Sequence, residues 1–391
     1  MSVTQNKTTA QMQLPNWTDV LDSALSLPLS VANGGTGSNA ASSAADNLSV
    51  QPREPGVTDV SHLYAPPTVL IKDTYRAAVE AASGGRRTVI YDTNGYPNIM
   101  YIIPKFSTED VFGATTWGSG VFPAFVSNGV EKPYIMVGAY SSGAIGSVPV
   151  SLPGLDPYVN INFDNAKARC KAKGGNFHLM TNWEWAAVAL WCLKNGYEPR
   201  GNTNWGRAYD AVNESGIRAS GELPGGTSTS GATRQGTGPA SWSHDGSSQG
   251  IFDLVGNTWH WIDGFKTVDG IIYMAADNYY SGEESSWTNL GCRVSVAEAK
   301  WCESAEAAEL ANISTAMQQL LVQALIRPAL SDGPKPYTPK GYLWLNNSAS
   351  RFPLRGGSWF NASSAGLAAL YLNDGRSVAI WNVGFRLASG S

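Results

Sequence analysis

Apolar residues follow different patterns along this chain, and each pattern predicts a different kind of structure. From residue 1 to about residue 60 they are scattered among small polar residues and prolines, with LPLSVANGGTGSNAASSAADNL at the centre. Such a segment buries too little apolar surface to order itself and reads as a linker or attachment segment. Over residues 61–157 the short β-prone runs RRTVIYD, NIMYIIP and YIMVGAY alternate with Gly, Pro and Asn turns, which predicts a small β-rich domain. Asn94-Gly95, between two of these runs, marks a hairpin turn.

Beyond residue 157 helical signals appear. NFDNAKARCKAKGG starts on a capping residue and stops at Gly174-Gly175, which predicts a helix. In TNWEWAAVALWCLKNG, Thr181 and Glu184 have capping-box spacing, and Trp183, Ala187, Leu190 and Trp191 supply an apolar stripe. The Gly-, Ser- and Thr-dominated run from about 218 to 249 predicts a long loop. Ser304–Leu330 is helical in composition, stopped by Pro328 and expected to pack on the head as an insertion.

Composition narrows the class. The 391 residues suffice for two or three domains. With 15% charged residues against 14 Trp and 16 Tyr, the chain favours turns and aromatic contact surfaces. A net charge of -4 gives no electrostatic footprint for nucleic acid or an anionic membrane, and neither is expected as a partner. The N-terminus lacks signal-peptide character, and no apolar run reaches the length needed to cross a bilayer. Cys170, Cys192, Cys292 and Cys302 have no zinc-site spacing; buried free thiols are expected, with a Cys292–Cys302 bridge as the alternative.

Several segments resemble known families. LPLSVANGGTGSNAA resembles a short element of phage tail-fibre proteins. HLMTNWEWAAVAL, GIFDLVGNTWHWIDG and the bracket LRGGSW to VGFRLA are similar, in the same order, to the motifs of the formylglycine-generating-enzyme type of C-type lectin fold, with weaker support from RGNTNWGRA. The resemblance implies an α+β chain: a tail-fibre-like segment at 1–60, the β-rich domain at 61–157, and a C-type lectin-like domain at 158–391. Trp259 and Trp261, two apart on an extended stretch, point to one face of the core. Arg386 is expected to pair with buried carbonyls or a carboxylate.

Enzymatic chemistry is not expected. Relatives that make formylglycine carry two metal-binding cysteines that would align near Asn361 and Gly366, yet no cysteine follows Cys302. A copper(I) site needs such thiolates. His62, His178, His244 and His260 form no metal-helix pair, and His244-Asp245 reads as chance adjacency rather than half a catalytic triad. His260 stands where the family usually has a calcium-binding Glu; calcium stays open, with Asn257 as the candidate ligand. No cofactor is required.

Between Leu354 and Ala388 the residues follow neither helix nor strand periodicity. This stretch resembles the variable region of proteins diversified by retroelements, in which template adenines are copied with errors. Template codons AAC and AAT then yield many residue types and never a stop. The resemblance assigns Ser358, Phe360, Asn361, Ser363, Ser364, Ala369, Tyr371, Asn373, Asp374, Val378 and Ile380 to the rewritten, ligand-binding set. Trp381 joins them as an exposed residue whose codon, ending in G, has another origin. Gly356, Gly357, Trp359, Gly366, Leu370, Leu372, Arg376, Gly384, Phe385 and Arg386 form the fixed frame. An ordinary terminal hairpin with core apolar residues is the alternative.

The expectation is a receptor-binding protein on a phage tail fibre. It would be carried on the virion as a homotrimer with other tail-fibre proteins, and would bind a host surface protein or glycan. The alternatives are a formylglycine-generating-type oxidase and a non-diversified, calcium-dependent lectin.

Overall fold

The computed structural model describes residues 68–113, 117–293, 298–300, 314–326 and 340–390. The segment expected at 1–60, with its tail-fibre-like element, lies outside the described residues, as do His62 and Cys302. One compact unit runs from Leu70 to Ser391.

The chain forms helix α1 (Thr68–Ser83), strands β1 (Arg87–Tyr91) and β2 (Pro97–Pro104), and a short helix α2 (Thr108–Phe112). Two small hairpins, β3 (Val126–Ser127) with β4 (Val130–Glu131) and β6 (Gly143–Ile145) with β7 (Val148–Val150), flank β5 (Tyr134–Gly138). Helix α3 (Phe163–Lys171), β8 (Phe177–Leu179) and helix α4 (Asn182–Lys194) follow. After the long loop come β9 (Trp259–Trp261), β10 (Phe265–Val268), β11 (Ile271–Met274), β12 (Thr288–Arg293) and β13 (Glu298–Lys300). Helix α5 (Thr315–Gln323), β14 (Tyr342–Leu345), β15 (Ser350–Arg351), β16 (Leu354–Gly356), β17 (Gly366–Leu372), β18 (Val383–Phe385) and β19 (Leu387–Ser389) complete it.

Three larger sheets organise these strands among the described residues. One has the order β1-β2-β5-β19-β8, one the order β12-β11-β10-β15, and one the order β13-β14-β17-β16-β9-β18. The first sheet corrects the expected boundary at 157: Val137 of β5 faces Ala388 of β19, so strands from both sides of that position share one ladder. The region before 157 also opens with a helix, α1, which its scattered β-prone runs did not signal.

The hairpin at Asn94-Gly95 forms as expected, with Arg87 opposite Tyr101 and Tyr91 opposite Pro97. Its turn depends on Asp92, whose Oδ1 accepts from the backbone N–H groups of Asn94 and Tyr96 at 2.9 Å each. The other carboxylate oxygen pairs with Lys173 Nζ at 2.7 Å, both groups buried, which ties the turn to the end of α3.

Helix α3 starts at the Asn162 cap, and Gly174 and Gly175 follow it with left-handed φ values of 74° and 57°. Helix α4 has the expected capping box: Thr181 accepts from the Glu184 N–H, and Glu184 returns a carboxylate to the Thr181 N–H. Its stripe, however, is wider than expected, because Asn182 through Leu190 are all buried. Trp191 turns outward at 39% exposure and stacks on Phe106. Of the helix expected over 304–330, Thr315–Gln323 is helical, and Leu321 and Val322 are buried in the main core. Cys170, Cys192 and Cys292 are free and buried. No described helix is long and apolar enough to cross a membrane.

Two buried arginines lock these layers together. Arg386, between β18 and β19, donates to the carbonyls of Gly138 at 2.7 Å, Phe252 at 2.6 Å and Asp253 at 2.9 Å. Of the two partners expected for it, carbonyls are the ones found. Arg355 on β16 donates to Asn182 Oδ1 at 2.8 Å and to the Leu325 carbonyl at 3.0 Å. Burial pulls both guanidinium groups down to about 9.

Arg386→Leu strands the three carbonyls without donors and should cost about 3 kcal/mol or more in urea unfolding. Leu223→Ala, on an exposed side chain, should change stability by no more than about 0.5 kcal/mol.

The ring nitrogens of buried His178 face only acceptors, the Asn176 carbonyl and Glu184 Oε1, each at 2.8 Å. Burial pulls the imidazolium down, but the Glu184 carboxylate and these hydrogen bonds outweigh it and hold the pKa above the ordinary 6.5. A raised pKa in the folded state contributes stability below pH 6.5 that is lost as pH rises through the folded value. The stability difference between wild type and His178→Phe should therefore narrow as pH increases from 6.5 to 9, measured by urea unfolding at each pH.

Candidate functional site

The site is built on two loops hung between β16, β17 and β18. Leu354 pairs with Tyr371 and Arg355 with Leu370, and the register then slips so that Gly356 meets Gly366. The slip releases residues 357–365 as a loop. Gly356 has φ 91°, and a Cβ there would lie 2.4 Å from the Leu254 carbonyl oxygen. Gly357 has φ 90°, and a Cβ there would strike Ala365 Cβ at 2.6 Å. Only glycine accommodates both the sign of φ and the approach.

Neighbouring backbone then holds this loop. The N–H of Trp359 donates to the Asn257 carbonyl, the Trp359 carbonyl accepts from the Trp205 N–H at 2.8 Å, and the Ala362 N–H donates to the Thr203 carbonyl at 3.0 Å. Inside the loop, Asn361 Oδ1 accepts from the N–H and hydroxyl of Ser358, both at 2.8 Å.

The second loop, 373–382, is clamped by Arg376. Its Nε donates to Asp164 Oδ2 at 2.9 Å, its Nη2 to Glu284 Oε1 at 2.9 Å, and its guanidinium lies 4.9 Å from the centre of the Phe352 ring. The Asn160 N–H donates to the Ile380 carbonyl at 3.1 Å, and the Trp259 N–H donates to the Asn382 carbonyl at 2.9 Å.

The pinned loops present an aromatic surface. Trp381 is 52% exposed, Ile380 38% and Phe360 37%. The Phe360 and Trp381 rings lie 5.5 Å apart, and Trp381 also lies 5.0 Å from buried Trp359. Beside them opens a cavity of ≈ 170 Å³ lined by Phe360, Asn361, Tyr371, Asp374 and Ile380 from the expected set. Trp259, Trp344, Leu354, Asn382 and Val383 complete its lining. Burial raises the Asp374 carboxyl above its usual range, partly offset by Arg351 nearby.

The expected residues divide by burial. Ser363 is exposed, and Asn361, Ser364, Tyr371, Asn373, Asp374 and Val378 are half-buried. Ser358 and Ala369 are corrections: both are fully buried. Ser358 spends its polar groups on Asn361, and Ala369 packs in the core with Trp259, Trp261 and Leu354. The hairpin alternative therefore describes residues 365–372, where Leu367, Ala368, Leu370 and Leu372 are core. The exposed residues of the expected set are confined to the two loops.

Trp205 was missed. It is half-buried with φ 46°, unusual for a bulky side chain, and its ring lies 6.1 Å from Phe360. Only its place in RGNTNWGRA could have drawn notice.

Asn257 does not fit the calcium role. It is fully buried, and its Oδ1 already accepts from the Thr233 N–H at 2.8 Å and from Asn202 Nδ2 at 3.2 Å, while its Nδ2 donates to the Thr233 carbonyl at 3.0 Å. Among the described residues, no group of three or more His, Cys, Asp or Glu side chains could hold a metal. His260 alternates inward between the two tryptophans and meets Trp185 edge-on at 5.7 Å. Neither of its ring nitrogens has a hydrogen-bond partner among the described residues, and burial together with Arg386 holds its pKa well below 6.5. His244 Nδ1 accepts from the Ile251 N–H at 2.8 Å, which occupies the nitrogen a triad would use. Burial raises the Cys170 and Cys192 thiols far above their usual range, so neither is a ready thiolate.

No protein-family model matches the chain, and neither does any curated protein. Similar solved structures include Treponema denticola variable protein 1, with a TM-score of 0.32 and 13% identity over 78% of this chain and 99% of that one. The Major Tropism Determinant M1 variant aligns with a TM-score of 0.30 and 13% identity over 78% of this chain and 71% of its own. PvdO from Pseudomonas aeruginosa aligns with a TM-score of 0.32 and 12% identity over 78% and 98%. At these values no residue role carries across.

The split between loop and core predicts opposite responses to one substitution. Ala369→Tyr overpacks a fully buried position and should cost about 3 kcal/mol or more, whereas Ser363→Tyr should stay within about 0.5 kcal/mol in urea unfolding.

Proposed function

We propose that this protein is a receptor-binding, tropism-determining protein of a phage tail fibre, whose C-terminal loops bind a host cell-surface ligand. One observation carries the reading: Phe360, Ile380 and Trp381 stand exposed beside a cavity, on loops whose backbone is pinned from outside. A large apolar side chain normally gains by burial, and aromatic anchors on rigid supports give contact area at small entropic cost.

Binding in this reading is contact alone, with no bond made or broken. The variable-region reading applies to the exposed loop positions, where replacement leaves the core intact. The C-type lectin-like, formylglycine-generating-enzyme-type architecture, the homotrimer and the place on the virion belong to the same proposal. Several weak heads on one fibre would gain avidity if they engage together.

The test is binding of fluorescently labelled protein to a panel of bacterial strains, read by flow cytometry. Saturable, strain-restricted binding is expected, weakened about tenfold or more by Trp381→Ala and by Phe360→Ala, while Leu223→Ala binds as wild type. Equal binding by all three variants would remove the loops from the contact.

A further inference from the structure

The cavity beside the exposed aromatics has a chemistry of its own. The rings of Trp259, Trp344 and Tyr371 are clustered, with centroids 5.5 Å apart for Trp259 with each partner and 6.0 Å for Trp344 with Tyr371. All three line the cavity, and Phe360 adds a fourth ring. Aromatic faces carry partial negative charge, so a box of them attracts cations.

The charge at the lining has the same sign. Among the described residues, Asp374 is the single ionisable acid or base in the lining apart from the Tyr371 phenol, and no Lys, Arg or His lines the cavity. Arg351, the cation nearest in charge terms, is occupied elsewhere: Nε donates to the Ser348 carbonyl at 2.7 Å and Nη1 to the Asn373 carbonyl at 2.8 Å. Its charge still acts on Asp374, partly offsetting the rise that burial causes in that carboxyl. The Asn382 side-chain oxygen, buried at the cavity lining, has no hydrogen-bond partner among the described residues. The Asp374 carboxylate and Asn382 Oδ1 are acceptors that a donating ligand would satisfy, while the Asn361 and Asn382 amide nitrogens and the Tyr371 hydroxyl line the same cavity as donors.

Size limits the ligand further. Pockets for drug-sized molecules run to about 300–1,000 Å³, so ≈ 170 Å³ suits one side chain or one sugar ring. A sugar hydroxyl can donate to the Asp374 carboxylate but carries no net charge for the acid and the aromatic rings to attract together. A guanidinium only donates, is flat enough to stack on aromatic faces, and is more weakly hydrated than an ammonium.

Resting on the reading of these loops as a receptor-binding surface, we infer that the cavity lined by Trp259, Trp344, Tyr371 and Asp374 is a cation box that accepts an arginine side chain of a protein receptor. Phe360 and Trp381 then flank the inserted side chain, and the receptor's surrounding surface meets the exposed loops.

The experiment is isothermal titration calorimetry of the full chain with Nα-acetyl-arginine amide. The neutral isostere Nα-acetyl-citrulline amide and methyl hexosides serve as comparison ligands. Saturable binding of the arginine compound is expected, with citrulline at least about tenfold weaker and the hexosides silent. Asp374→Asn should weaken arginine binding by a similar factor at an unchanged melting temperature. Citrulline or hexoside binding equal to arginine, no arginine binding, or full binding by Asp374→Asn would each overturn the inference. If Asp374→Asn does not fold, the arginine-to-citrulline ratio on wild type still decides. The broader reading is judged separately: strain-restricted cell binding that needs Trp381 but ignores excess arginine compound refutes the cation box alone, whereas cell binding indifferent to Trp381 and Phe360 refutes the surface itself.

Discussion

The structure depends on two guanidinium groups that have been taken out of water without a carboxylate to pair with. Arg355 and Arg386 stand at the two ends of the C-terminal segment, and each reaches oxygens contributed by distant parts of the chain. Arg386 gathers β5 and the 252–253 loop onto the last strands. Arg355 gathers the start of α4 and the end of α5 onto β16. A buried cation is costly unless several acceptors converge on it, so these bonds form together or not at all. With the ends of the segment held in this way, the backbone between them has little freedom left to lose.

That constraint explains how an irregular loop can be a defined surface. Between the arginines, the chain is pinned at Trp359 and Ala362 by bonds to 203–205 and 257, and at Arg376 by two carboxylates and a ring. Surface ion pairs are weak singly, but one guanidinium shared between two carboxylates and stacked on Phe352 forms a network with fixed geometry. None of the pins uses the side chains of Phe360, Ile380 or Trp381. The pins and the exposed side chains are therefore separable: the pins are made of backbone and Arg376, whereas Phe360 and Trp381 rest one side against Trp205 and Trp359 and leave the other exposed. The cavity sits where they meet, with framework rings on one side and loop residues on the other.

Much of the frame was legible in the sequence. The helix starting at Thr181, the hairpin at Asn94-Gly95, the long loop after 218, the paired tryptophans and the Gly356-Gly357 bend are dictated by local chemistry that acts within a few residues. Nothing in the sequence flanking helix α1 marks it, and the contact of Trp205 with Phe360 joins residues 155 positions apart. Ala369 shows the converse: a small residue in an irregular stretch gives no sign of facing inward until the strands on either side are paired.

By itself the sequence determined the caps, turns and glycine bends, the two-residue alternation that sends Trp259 and Trp261 into one core, and the absence of cysteine after Cys302. Only the tertiary structure decided that β5 closes against β19 and erases a boundary at 157. It also decided that Asn257 spends its carboxamide on Thr233 and Asn202, and that five loop residues converge with framework tryptophans on one cavity. The physical reason is range. Capping and turn preferences act through neighbouring residues, whereas burial and convergence depend on which distant strands exclude water together.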